Sequence, residues 1–305
     1  NYALRSADAG LWLLGSTELA AQHAVWDLLH RLGYRQFFPG PVWEVVPSSP
    51  DLAIAVDVRE TPDYVARRIW YNWGLWGYNR RPYQEWCVRN RMARGLLVRS
   101  GHAYGSIIRA NQKAFKEHPE YLSLINGKRR TGGGTKFCIS NPGLRKLVVD
   151  HAVRYFKGHP GVDSISMEPS DGGHWCQCKP CKEMGTPSDR ALTLANEVAE
   201  AVNALGLGDK YVGMYAYHMH CAPPSIRVHP KVVVSVTTAF LTGGHSFNDV
   251  VRGWQKQGAT IGVYDYFSVV AWDWNRPRAS RSARPAPLSA AIKQRHEMGA
   301  RFYDA

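Results

Sequence analysis

The sequence has no apolar run approaching the roughly 18 residues that a membrane-spanning helix needs. Its first residues, Asn1-Tyr2-Ala3-Leu4, lack the basic stretch and following apolar run of an export signal. The expectation is a chain with no membrane partner, either soluble as it stands or a mature or clipped piece of a secreted or periplasmic protein. A Gly-rich phosphate loop and a nucleophilic serine motif are both missing, which argues against phosphoryl and acyl transfer. Acidic residues are scarce beside basic ones, 25 Asp and Glu against 38 Lys and Arg, for a formal charge of +13. Such an excess invites a polyanion. The basic residues are nevertheless scattered, with local density at Arg80-Arg81, Arg89 to Arg94, Lys128 to Arg130 and Arg276 to Arg284, and no nucleic-acid motif frames them. Nucleic acid is therefore not an expected partner.

What is present is enough material for a full core, 305 residues of which 45% are hydrophobic. Eleven tryptophans stand out, many beside Tyr, Asn or Asp instead of inside apolar runs. Aromatic faces next to hydrogen-bonding side chains suit sugars, whose C–H faces are apolar and whose hydroxyls are not.

Residues 1–60 read as a small α/β domain, cut at its start. "LWLLG" is a strand, Ser16 or Thr17 caps a helix carried by Leu19, Ala24, Val25, Leu28, Leu29 and Leu32, Gly33 stops it, and "LAIAVDV" from Leu52 is a second strand. From Thr61 the pattern changes to short apolar strands separated by longer segments. The expected strands are 67–73, 95–102, 164–169, 211–218, 231–238, 260–267 and 300–305, and the clearest helices are 141–156, 189–205 after a Ser188 cap, and 289–298. This alternation predicts a (β/α)8 TIM-type barrel over residues 61–305, incomplete in this chain because seven strands are counted and the last meets the chain end.

A barrel of this kind builds its active site at the carboxyl ends of its strands. Those ends supply Asn72 and Trp73, His102 and Tyr104, Glu168 and Asp171, Tyr215, Tyr217 and His218, Tyr264, Asp265 and Tyr266, Trp272, Asp273 and Trp274, and Tyr303 and Asp304. Carboxylates among Trp and Tyr fit glycoside hydrolysis, in which one acid protonates the leaving oxygen and a second group supports the oxocarbenium-like centre. No cofactor is required for that chemistry. Glu168, between Met167 and Pro169, is the first candidate for the acid, since apolar surroundings raise a carboxyl pKa. Asp171 is the candidate partner. Each also has a structural reading, Glu168 in a buried ion pair and Asp171 as a cap of the "SDGG" turn.

Cys176, Cys178 and Cys181 form a C-x-C-x-x-C cluster. Structural zinc needs a fourth ligand, from Cys138 or His174; a disulfide from Cys138 to Cys176 or Cys178, or free thiols, are the competing accounts. Three thiolates suit a closed structural site better than a catalytic one.

"GHAYG" at Gly101, "EYLSLINGKRR" at Glu120, "FCISNP" at Phe137, "SMEPSDGGHWCQCKPC" at Ser166, "SDRALTLANEVAEAV" at Ser188 and "YDYF" at Tyr264 together resemble a bacterial family labelled domain of unknown function 4838. That family is related to glycoside hydrolase family 163, endo-β-N-acetylglucosaminidases acting on N-glycans. The segment "AVWDLLHRLGYRQFFPGPVWEVVP" also looks like the small α/β domain that precedes the barrel in hexosaminidases and α-glucuronidases. The resemblance implies retaining cleavage of a β-linked N-acetylhexosamine with the substrate's own 2-acetamido oxygen as nucleophile. Glu168 and Asp171 then match the acid and the acetamido-orienting carboxylate, with His102, Tyr217 and Asp265 as sugar contacts. A non-catalytic glycan-binding barrel and an α-glucuronidase-like enzyme are the alternatives.

Overall fold

In a computed structural model of the chain, residues 1–48, 51–69, 77–92, 96–266 and 284–305 are described. They fall into two compact units, Asn1–Gly95 and Leu96–Ala305.

In the first unit, β1 (Tyr2–Ala7) lies between antiparallel neighbours β2 (Gly10–Gly15) and β5 (Asp57–Glu60), with a small β3–β4 pair at Arg35–Gln36 and Glu44–Val45 and a short β6 at Ala66–Arg68. Helix α1 (Glu18–Arg31) starts where the Thr17 hydroxyl accepts the Ala20 N–H at 3.1 Å, and it buries Ala20 and Ala24 against Tyr2, Leu4 and Val56. Gly15 permits the tight turn into that helix, because a Cβ there would lie 2.2 Å from the Ala21 nitrogen. Two points differ from the sequence reading. Two strands, not one, precede the helix. The "LAIAVDV" strand pairs regularly only from Asp57, because the Ser6 hydroxyl takes the Val56 N–H (2.9 Å) and bonds the Ile54 carbonyl (3.1 Å) in place of backbone. The unit also reaches past residue 60. Helix α2 (Gly77–Arg89) is tied back to the start of the chain by Trp86 and Asn90 donating to the Gln36 carbonyl, Arg89 pairing with Glu44, and Arg91 pairing with the buried Asp27. The sequence boundary at Thr61 follows a change of pattern, whereas these bonds carry the unit on to Gly95.

The second unit holds a parallel sheet in which β9 (Ser164–Ser166), β10 (Tyr211–His218), β11 (Val232–Leu241), β12 (Thr260–Tyr264) and β13 (Phe302–Asp304) are neighbours in chain order. Stepwise parallel order is barrel-like winding, as opposed to the reversal of a doubly wound sheet. The architecture seen is a parallel half-barrel with helices; eight-strand closure is not present among the described residues. α5 (Pro142–Gly158) precedes β9, α7 (Pro187–Asn203) links β9 to β10, α8 (Phe247–Lys256) links β11 to β12, and α9 (Pro285–Glu297) leads into β13. The core between helices and sheet is apolar and closed: Leu192, Ala195, Ala199, Val202 and Trp254 meet Val212, Met214, Val234, Val236, Ile261 and Val263, all buried. Short helices α3 (Tyr104–Ala110), α4 (Gln112–Glu117) and α6 (Lys179–Glu183), and the β7–β8 hairpin (Leu124–Ile125 with Lys128–Arg129), complete the unit's described α-helices and strands.

Two expectations are corrected here. The α7 cap is Thr186, not Ser188: Thr186 and Asp189 exchange side-chain and backbone bonds as a capping box around Pro187, while Ser188 donates to the Ala222 carbonyl. The expected strand at 95–102 is not a regular strand over residues 96–102. There the hydroxyl of Ser164 bonds Leu97 O and Arg99 N–H, and that of Ser166 bonds Gly101 O, so side chains of β9 stand in for the ladder. The segment then crosses so close to β10 that a Cβ on Gly213 would lie 2.0 Å from the Arg99 oxygen.

Candidate active site

The carboxyl ends of β10, β11 and β12 carry most of the site. At Ala216 and His218 the β10–β11 register jumps from Val236 to Leu241, a bulge that leaves Thr237 to Phe240 of β11 without register partners on β10. His218 (φ 46°) and Phe240 (φ 60°) take left-handed backbone there, costing on the order of 1 kcal/mol each, which the surrounding packing must sustain. The result is a closed ring of six aromatic side chains. Centroid separations run Tyr215 to Tyr264 5.0 Å, Tyr264 to Tyr266 5.0 Å, Tyr266 to Phe240 5.2 Å, Phe240 to Tyr217 6.2 Å, Tyr217 to His102 6.2 Å and His102 back to Tyr215 6.4 Å. All are in the range of favourable aromatic pairs.

Glu168 follows β9 and is wholly buried. Its surroundings are polar, unlike the apolar setting expected from Met167 and Pro169. One oxygen accepts the Tyr215 N–H at 2.7 Å, the other faces His220 Nε2 at 2.9 Å, and His102 Nδ1 lies 3.8 Å away. His220 sits two residues past the end of β10 and its ring packs edge-on to Trp175.

Asp171, three residues on, is exposed and sits differently. Its Oδ1 accepts the Gly172 N–H at 2.7 Å and the Tyr217 hydroxyl at 3.0 Å. Partial burial works to raise its pKa, but the Gly172 N–H, the Tyr217 hydroxyl and the positive potential of His102 and Lys136 outweigh that and hold it below the usual carboxylate value. Tyr217, in turn, is pushed up to about 12 by burial and by its bond to Asp171. Beneath the loop, buried Lys136 donates to the carbonyls of Ser170 (2.5 Å), Gly172 (2.6 Å) and Asp171 (3.4 Å), with its ammonium over the Trp175 ring. Burial lowers its pKa to about 8, against the opposing pull of Glu168 and Asp171.

The other expected contacts divide. His102 is exposed and donates from Nδ1 to the Pro169 carbonyl at 2.7 Å. Tyr215 is buried within the ring, and burial raises its pKa. Tyr104 is fully buried and stacked on Phe137 at 4.0 Å, with no hydrogen-bond partner for its hydroxyl, so it lines no open surface. Asp265 is also buried: Thr238 donates to one oxygen at 2.6 Å, and Arg295 and Tyr303 share the other, which makes it the centre of a buried ion pair instead of a sugar contact. Asn72, Trp73, Trp272 and Trp274 lie outside the described residues.

Sequence reasoning missed Lys136, His220 and Phe240. His220 is visible in "YHMHC" as a second histidine past the strand end. Lys136 and Phe240 carry no signal, because a loop and a bulge place them.

The cysteines gather with Cys138. The sulfurs of Cys138, Cys176, Cys178 and Cys181 all lie within 4.8 Å of one another. His174 is not part of this group, and the H-x-E triplet His118-Pro119-Glu120, which a zinc deaminase would use on its metal, pairs within itself at 2.9 Å.

Among solved structures the chain is similar to one titled "A Glycoside Hydrolase Family 20 beta-N-Acetylglucosaminidase", at 13% identity and a TM-score of 0.44 over 87% of this chain. It spans 63% of that neighbour's length. No curated protein matches it. A family model described as "Domain of unknown function (DUF4838)" matches residues 38–272, well over half of the sequence, and with the quoted motifs falling in that span, the chain belongs to this family.

Proposed function

We propose that the second unit is the catalytic part of a glycoside hydrolase that cleaves β-linked N-acetylhexosamine in glycans, assisted by the substrate's 2-acetamido group. The observation that carries this reading is the ring of six aromatic side chains beside two carboxylates of opposite setting, Asp171 exposed and held ionised, Glu168 buried and hydrogen-bonded. The aromatic faces offer stacking surface to a pyranose, and the family resemblance supports the same substrate class. In the first step the acetamido oxygen bonds to the anomeric carbon as the bond to the leaving oxygen breaks, and that oxygen takes a proton from the acid. Asp171 accepts the acetamido N–H, which orients the nucleophilic oxygen and offsets the positive charge that develops on it. Glu168 is the candidate for the acid. Water then opens the cyclic intermediate, returning the proton to the acid. The cleavage draws on no cofactor, and a glycan substrate is consistent with a secreted or periplasmic setting.

A glycan-binding barrel without turnover is the second reading. One observation favours it: Glu168 has no accessible surface and both its oxygens are engaged, so it touches no substrate atom in this conformation. The two are separated by incubating the purified chain with N-glycans, aryl β-N-acetylglucosaminides and aryl α-glucuronides. Hydrolysis of the N-acetylated substrates that falls at least about 100-fold in Asp171→Asn and in Glu168→Gln establishes the first reading. Binding with no release on prolonged incubation establishes the second, and cleavage of the glucuronide alone sinks both.

A further inference from the structure

We infer that Cys138, Cys176, Cys178 and Cys181 form a closed tetrathiolate zinc site that clamps two loops of the second unit together. The inference is independent of the glycosidase reading, since it rests on sulfur geometry and is tested by metal content.

A tetrahedral zinc with Zn–S bonds of about 2.3 Å has neighbouring sulfurs about 3.8 Å apart. The sulfur pairs here are Cys176 to Cys178 3.4 Å, Cys138 to Cys178 3.6 Å and Cys138 to Cys181 3.8 Å. Those separations are far beyond the roughly 2.05 Å of a disulfide. They match the edges of a metal tetrahedron. Thiols buried only as small apolar groups have no reason to converge from two loops, 38 residues apart at Cys138 and Cys176, on one centre. Three of the four are buried and Cys178 is half-buried, which leaves no open coordination position for a substrate.

The surroundings fit thiolates. The Leu124 N–H points at the Cys176 sulfur at 3.3 Å and the Ser140 N–H at the Cys181 sulfur at 3.4 Å, so backbone donors offset the negative charge that four thiolates bring to a divalent ion. The backbone around the ligands is also tied together: Gln177 N–H bonds Leu124 O, and the Arg190 guanidinium bonds Cys176 O at 3.1 Å.

The position of the clamp gives it a purpose. Cys138 lies two residues after Lys136, whose ammonium holds the Ser170 and Gly172 carbonyls, and the three remaining ligands begin four residues after Gly172. The loop that carries Asp171 is thus pinned at its start by Lys136 and at its end by the metal. Zinc bound only by the folded chain contributes directly to the order of both loops.

The test uses the purified chain as it is. Elemental analysis is expected to find one zinc per chain, released by a mercurial that titrates four thiols, and cobalt-substituted protein is expected to show thiolate-to-cobalt charge-transfer bands with the visible spectrum of a tetrahedral site. Alkylation without reduction, followed by mass spectrometry, is expected to find all four cysteines as thiols. No zinc, iron in its place, or a disulfide between any two of the four overturns the proposal. Cys178→Ser is expected to lose the zinc and to expose residues 124–141 and 170–181 to proteolysis; full zinc retention in a folded variant also overturns it. Should that variant fail to fold, the zinc content, cobalt spectrum and thiol count of the unaltered chain still decide the matter.

Discussion

Tyr217 donates its hydroxyl to Oδ1 of Asp171 at 3.0 Å, joining the end of β10 to the loop that follows β9. The bond stabilises the ionised carboxylate, and with the Gly172 N–H it overcomes the opposing effect of burial. A group whose folded pKa is depressed keeps its charge above that pKa and loses it as pH falls through it. Tyr217→Phe removes one hydroxyl bond worth about 1 kcal/mol, so the acidic limb of the pH–activity profile should move to higher pH by up to about 0.7 unit. An unmoved limb with unchanged kcat would separate Asp171 from the chemistry.

Glu168 and His220 form a buried pair with no solvent access. His220→Ala leaves one carboxylate oxygen without its donor, a loss of about 3 kcal/mol in unfolding free energy. Glu168→Gln sets an amide donor against either the Tyr215 N–H or His220, at about 1–3 kcal/mol. Urea denaturation of the three proteins measures both. A change below about 0.5 kcal/mol in each would mean that the two side chains are not buried together.

Lys136 has a folded pKa near 8 against an ordinary value of 10.5, with burial as the main cause. The sign follows from proton counting: between about pH 8 and 10.5 the unfolded chain binds more protons than the folded one, so this group makes stability rise with pH across that window. Its desolvation cost is fully present below pH 8. In Lys136→Met this rise should vanish, a difference in pH dependence of at most about 3 kcal/mol. Parallel stability curves for the two proteins from pH 7 to 10.5 would show the lysine to be solvated.

Asp265 shares its carboxylate with Thr238, Arg295 and Tyr303 and is buried. Arg295→Met strands a buried charge and should cost about 3–5 kcal/mol. Asp265→Asn should destabilise as well, while in the folded fraction KM for a glycan substrate stays within about twofold. A large rise in KM without loss of stability would restore Asp265 as a sugar contact.

Much of the second unit was legible because buried parallel strands read as apolar runs: "YVGMYAYH", "KVVVSVTT" and "TIGVYDYF" are strands close to where the pattern puts them. The helix after Asn141 was legible because its cap and Pro at N1 are local signals. The segment at 95–102 was not, because an apolar pattern reports burial, and burial here comes from lying across Gly213 with serine hydroxyls replacing strand partners. Tyr104 and Asp265 look like strand-end contacts in the chain. Their neighbours Phe137 and Arg295 come from distant segments and turn both inward.

By itself, then, the sequence determined the alternation of strands and helices, the family, and the placing of Glu168 and Asp171 after one strand, since periodicity, caps and motifs are properties of adjacent residues. The tertiary structure alone decided which carboxylate is sealed and which is open, that Cys138 joins the other three sulfurs, and that Lys136, His220 and Phe240 belong to the site. Those outcomes depend on electrostatic and packing partners from segments far apart in the chain, and only folding brings them within a few ångströms.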